Sequence, residues 1–318
     1  MAGEWIAILA VFSFVISNVI FRRTEKEASP IFINFIRTAI GTITFLILSL
    51  IYQSLFAIFL LPIELWIILC LSFLFGQVIG DTSYFQAQKR LGTTLTLAIS
   101  MTFPFFTLIF SLIFLNHPLK VNLVLSLIFI SVGIIIISKT KISSERSESY
   151  NSRKEIKNLL STTSFRAIMF ALIAAVTWAI GLVMIDFATN EIDKSLNIGG
   201  LSSIIGNVIR FPFALLILFS MVLTERVYYI KGKIIPLQKK TPKIWAFLII
   251  ASIIGTSLGA YLYTEAARTA GAAVMSLIAS ASPLFSLPLT YWVNKEKITK
   301  IGFLGVLLTI IGVILAIV

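Results

Sequence analysis

Residues 76–92 read GQVIGDTSYFQAQKRLG, and residues 255–271 read GTSLGAYLYTEAARTAG. A single shift of 179 residues pairs Gly76 with Gly255, Gly80 with Gly259, Tyr84 with Tyr263, Ala87 with Ala266 and Gly92 with Gly271. The same shift pairs Pro104 with Pro283, Phe106 with Phe285 and Gly133 with Gly312. Apolar helices coincide by chance at Leu and Ile, but a run of Gly, Pro and Tyr coincidences at one shift is the mark of a repeat. A second phrase, NFIR at 34–37, returns as NVIR at 207–210 under a shift of 173. The difference between the two shifts falls in the longer loop after the seventh apolar run.

Outward from these phrases the chain is almost wholly apolar. Of its 318 residues, 58% are hydrophobic and 13% charged, and the mean hydropathy is +0.99, which excludes an ordinary soluble domain. Runs long enough to cross a hydrocarbon core of roughly 30 Å as helices recur throughout. They cover 4–21, 31–52, 64–87, 93–115, 119–138, 167–189, 200–224, 243–267, 272–293 and 300–318. These runs are continuously apolar, without the alternation and short length of barrel strands. The first run follows MAGEW, with Arg22, Arg23 and Lys26 after it, the reverse of a secretory signal, so it reads as a retained helix. The expected fold is an all-α integral membrane protein with ten transmembrane helices.

Ten runs and one repeat give two copies of a five-helix unit, 1–138 and 167–318, joined by a polar linker at 139–166 that contains SERSESYNSRKEIK. Five crossings are an odd number, so the copies enter the membrane from opposite sides and are inverted. Apart from Arg37 and Arg210, which lie inside apolar runs, only Lys120, Lys194 and Arg268 fall in or beside even-numbered loops. All other Lys and Arg residues lie at the odd-numbered loops, so the bias flips between copies as inversion requires. The positive-inside rule then places both termini outside the cell membrane. The formal charge of +12 belongs to these loops and to lipid headgroups, and no nucleic-acid partner is expected.

Candidate functional residues follow from the cost of polar groups in a bilayer. Asn34 with Arg37, and Asn207 with Arg210, each form an i,i+3 pair on one helix face inside a span. Two readings stand: the guanidinium forks recognise an anionic or carbonyl-bearing substrate, or the arginines snorkel or pair structurally. Asp81 and Glu265 are candidates for ion coupling. Asp186 and Glu265 alternatively lie near enough to helix ends to be solvated. Tyr84, Tyr263, Trp178, Gln77 and Gln86 are candidates for lining a polar cavity. Pro104 and Pro283, inside the fourth and ninth runs, are candidate hinges. GQVIG and GTSLG carry GxxxG, a spacing that lets a neighbouring backbone come close. With one cysteine, Cys70, and one histidine, His117, the chain offers no zinc cluster, and it carries no P-loop or hydrolase signature. Neither an enzymatic activity nor a cofactor is expected.

The phrases GDTSYFQAQKRLGTTLTLAISMTFPFFTLIFSLIFL and GAYLYTEAARTAGAAVMSLIASASPLFSLPLTYWV, each followed by a glycine-containing last helix, resemble the two EamA domains of the drug/metabolite transporter superfamily. The resemblance covers nearly the whole chain. It implies a secondary transporter of small metabolites or drugs, with a central cavity between the repeats and a small-molecule substrate. The charged turn after the fourth helix of a repeat survives as NKEK at 294–297 but stands as NHPLK at 116–120. Members of the family are commonly drawn with cytoplasmic termini, opposite to the charge bias here. The first expectation is alternating access around Asn34, Arg37, Asn207 and Arg210. The second is a lipid-handling protein, a flippase or membrane-embedded transferase, in which the arginines would hold a headgroup phosphate.

Overall fold

The computed structural model describes residues 2–24, 28–91, 96, 99–118, 120–148, 162–231, 241–282, 284–285 and 300–318. Every regular element among them is helical. In chain order the α-helices are α1 (Ala2–Arg22), α2 (Pro30–Ile51), α3 (Ile63–Phe73), α4 (Thr82–Leu91), α5 (Phe103–Leu115) and α6 (Val121–Glu148). They continue with α7 (Thr162–Leu196), α8 (Leu201–Lys231), α9 (Pro242–Ala251), α10 (Gly259–Ala270), α11 (Ala272–Ser280) and α12 (Lys300–Ile317). A π-helical segment, Leu74–Asp81, fuses α3 to α4, and another, Ser252–Leu258, fuses α9 to α10. Under the 179-residue shift these two irregular segments fall almost on top of one another.

Among the described residues, six helices are long and apolar enough to cross a bilayer: Ala2–Phe21, Ile31–Ile51, Ile63–Gln88, Phe165–Leu196, Leu201–Thr224 and Pro242–Ala270. Phe103–Leu115, Val121–Ile136 and Phe303–Ile317 are shorter apolar helices. The faces are sorted as a membrane requires. On α1, Trp5, Leu9, Phe12 and Ile16 recur at helical spacing and are exposed, whereas Ala7, Ala10 and Val11 are buried. An apolar stripe of this kind on the outside, with alanine inside, is stable only against lipid. The chain is a multi-pass membrane protein.

The sequence halves exchange packing partners. Span Ile63–Gln88 lies along α7, and span Pro242–Ala270 lies along α1. Likewise α5 packs on α7 while α11 packs on α1, and α2 pairs with α8 as α6 pairs with α12. Glycine makes these crossings possible. A β-carbon on Gly133 would sit 2.7 Å from the Gly305 carbonyl oxygen, and one on Gly312 would sit 2.9 Å from the Ile130 nitrogen. Across the α6–α12 crossing, Ser126 donates to the Gly312 carbonyl at 2.7 Å.

Two sequence expectations are corrected. Pro104 is not inside a helix: a turn at Met101–Thr102 breaks the fourth run, and Pro104 sits in the first turn of α5. There its missing N–H is no loss, because first-turn amides have no intrahelical acceptor. The helix interior does contain a proline, Pro212 of α8. Helix α6 continues to Glu148, into the segment read as linker. Asp186 and Glu265 are not solvated: they are 1% and 7% exposed. Pro283 and the NKEK turn lie outside the described residues.

Candidate functional site

The site begins with the start of α2. Ser29 caps it, accepting from the Phe32 amide at 3.1 Å, and Pro30 supplies a preset first turn. From that fixed start, Asn34, Arg37 and Thr38 face the π-helical segment Leu74–Asp81. The Gln77 side-chain amide donates to Asn34 Oδ1 at 2.9 Å and to Thr38 Oγ1 at 3.1 Å, and Asn34 Nδ2 donates to the Gln77 carbonyl at 3.3 Å. Arg37 Nη2 donates to Gln77 Oε1 at 3.1 Å and forms an ion pair with Asp81 at 2.7 Å, the two side chains being 14% and 15% exposed. A π-helical turn departs from regular helix geometry, and such turns recur at functional sites.

The other half completes the cluster. Trp178, on α7, donates its indole N–H to Asp81 at 2.9 Å and lies 5.3 Å from the Tyr84 ring. Gly80 makes room for that indole, because a β-carbon there would lie 2.5 Å from Trp178 Cδ1. Trp178→Phe keeps the ring but leaves one Asp81 oxygen short of a donor. We expect a loss of about 1–3 kcal/mol, read from thermal unfolding. The loss should shrink when Asp81→Asn is already present.

Arg210 is 5% exposed on α8, with its guanidinium 4.6 Å from the centroid of the Phe73 ring. Among the described residues its Nε and Nη1 have no hydrogen-bond partner, and neither does Asn207 Nδ2. Asn207 Oδ1 accepts from Thr264 at 3.4 Å. Tyr263 packs edge-on against Phe14 at 5.7 Å and is within electrostatic reach of both Arg210 and Asp81. The structure therefore brings together Asn34, Arg37, Asp81, Tyr84 and Trp178, and places Asn207, Arg210 and Tyr263 beside them. Gln86 is exposed and stands apart.

Glu265 belongs to a second constellation. Arg268 holds it through Nε at 3.0 Å and Nη2 at 2.5 Å, and reaches Asp193 through Nη1 at 2.6 Å. Ser203 donates to Glu265 at 2.7 Å, and Asp193 accepts the Gly199 amide at 2.6 Å. This latch ties the end of α7, the start of α8 and the end of α10. Asp193 and Ser203 were missed from sequence, where the only signal was the i,i+3 spacing of Glu265 and Arg268. Asp186, 1% exposed, accepts the Ala272 amide at 2.6 Å and so caps α11 from across the bundle. Gly271, at φ +87°, makes the turn that presents that amide.

The family model of EamA-like transporters matches residues 1–139 and again 165–318. The chain belongs to the EamA-like transporter family. An uncharacterised transporter of Archaeoglobus fulgidus is 26% identical over 190 residues, which cover 60% of this chain and 60% of that protein's length. A solved crystal structure, 14% identical, matches over 99% of this chain and 96% of its own with a TM-score of 0.72, so the fold is shared. In this EamA-like chain the family pattern thus occurs twice, once over the half that contains Asn34 and Arg37 and once over the half that contains Asn207 and Arg210.

Proposed function

We propose that this EamA-like transporter moves a small metabolite or drug by alternating access between two inverted five-helix halves, ten spans in all, with both termini outside. The reciprocal packing carries this reading: the third span of each half lies along the first helix of the other, with the polar cluster at the seam. A pair of halves joined in this way rocks about a site near the midplane. Asn34, Arg37, Tyr84, Trp178, Asn207, Arg210 and Tyr263 form that site. Pro104, beside the turn that breaks the fourth run, is the hinge of that span during rocking.

The two membrane faces differ in a way that supports the same reading. The latch of Asp193, Glu265 and Arg268 sits at the even-numbered loops, whereas the repeat partners of Glu265 and Arg268 are Gln86 and Lys89. Among the described residues, an ion-paired latch at one face and none of that composition at the other fits a conformation in which α7, α8 and α10 are held together at the even-numbered loops.

Counterflow in proteoliposomes tests the function. Solutes chosen by thermal stabilisation of the purified protein are expected to exchange against their own gradient. Protein that leaves every such gradient untouched while moving lipid between leaflets would overturn the proposal. Arg268→Gln frees two carboxylates and unbalances the closed state, and counterflow is expected to fall at least about tenfold, or about 1.4 kcal/mol.

A further inference from the structure

The two arginines are not equivalent, and the difference defines what binds. Under the 179-residue shift, Ala260 stands where Asp81 stands in the first half, and Thr256 stands where Gln77 stands. The Thr264 hydroxyl, which donates to the Ala260 carbonyl at 2.8 Å, lies 3.4 Å from Asn207 Oδ1, and this contact gives the register of two consecutive, oppositely directed spans. Ala260, one turn before Thr264, is therefore level with Arg210, just after Asn207. Ala260 and Phe73 also share one buried cluster. Arg37 thus has its carboxylate, and Arg210 has a methyl group in that place.

Arg210 is buried, and a buried guanidinium needs compensation. The Phe73 ring face, 4.6 Å away, offers a cation–π contact that recovers less than burying a charge costs. Among the described residues the buried polar atoms of the two Asn/Arg pairs without a partner are Arg37 Nε, Arg210 Nε, Arg210 Nη1 and Asn207 Nδ2, all of them donors. A cation or a hydrogen-bond donor gains nothing there. With Arg37 and Asp81 cancelling, Arg210 leaves a single positive charge, which matches one negative charge on a ligand. A dianion would bring a second charge without a partner.

We propose that Arg210 and Asn207 bind the carboxylate of a small organic monoanion, and that Ala260 is the specificity-determining residue that keeps the guanidinium free for it. The proposal rests on the reading of Arg210 as part of the central substrate site. Binding is measured apart from transport, by thermal unfolding of the detergent-purified full chain titrated with acetate, pyruvate and benzoate. Benzamide serves as the neutral counterpart of benzoate, and inorganic phosphate, with all titrations run above its second pKa, serves as the dianion.

At least one monocarboxylate is expected to raise the unfolding midpoint saturably, with benzamide and phosphate giving no comparable shift. Ala260→Asp supplies the missing carboxylate, so it is expected to raise the ligand-free midpoint and to abolish the response. Arg210→Gln is expected to abolish the response as well. Should either variant fail to fold, Arg210→Lys retains the charge without the fork and is expected to raise the half-saturating concentration at least about tenfold. The site is overturned if none of the three carboxylates shifts the midpoint, if benzamide acts like benzoate, or if the folded variants respond as the parent does. A carboxylate response without counterflow in liposomes supports the site while refuting transport. Counterflow that survives without any carboxylate response does the reverse.

Discussion

Asp81→Asn is expected to destabilise the protein by about 3–5 kcal/mol. Asp81 compensates Arg37 at 2.7 Å and accepts the Trp178 indole at 2.9 Å, and both members of the ion pair are mostly buried. Removing the negative charge leaves a guanidinium whose Nε already has no partner among the described residues. Most of the loss comes from that stranded charge rather than from the bond itself. The double variant Arg37→Gln/Asp81→Asn should therefore recover a large part of the stability lost by Asp81→Asn alone. Thermal unfolding of the four members of the cycle gives the coupling energy. Additive losses would mean that the pair is solvated and that α2 is not pinned to Leu74–Asp81 by charge.

Gly181→Val is expected to prevent accumulation of folded protein. A β-carbon on Gly181 would meet the Ser72 carbonyl oxygen at 2.7 Å, the Gly76 nitrogen at 3.1 Å and the Gly76 Cα at 3.2 Å. All three are backbone atoms, so no rotamer change relieves the overlap, and α7 must separate from the span it lies along. Gly76→Ala is the control, because a β-carbon there meets nothing within 4 Å. It should keep the wild-type midpoint to within about 1 kcal/mol, the usual cost scale for glycine against alanine in a helix. Yield of monodisperse protein after detergent extraction separates the two. Equal behaviour of Gly181→Val and Gly76→Ala would remove the close crossing from the account. The first GxxxG is thus asymmetric in use: Gly80 seats Trp178, and Gly76 offers its backbone to Gly181.

Much of this fold was legible because bilayer spans announce themselves by length and a repeat by its glycines. The helix starts at Ala2, Pro30, Ile63 and Pro242 fall within a few residues of the apolar runs. The Arg37 and Arg210 pairs were legible because charge inside a span is costly. What escaped has physical reasons. A π-helical turn leaves no periodic signature in continuously apolar sequence, so the segments bearing Gln77, Asp81 and Thr256 read as plain helix. Asp193 near a helix end looks solvated until α8 and α10 are folded against it. Pro104 in an apolar run reads as a kink unless the preceding turn is seen, and Pro212 gave no repeat signal because Arg37 is followed by Thr38 and Ala39. Asp186 caps a helix from a different part of the chain, which no local pattern encodes.

The most direct test of the central claim, that the face of the even-numbered loops must open and close for transport, is to fix the latch covalently. Asp193→Cys and Arg268→Cys would be introduced together in a Cys70→Ser background and joined by a reducible bifunctional thiol reagent. Counterflow of a solute that stabilises the parent would then be measured in proteoliposomes. The account predicts that the uncross-linked variant, already lowered as Arg268→Gln is, loses its remaining counterflow on cross-linking and regains it on reduction. Undiminished counterflow through quantitatively cross-linked protein would contradict it.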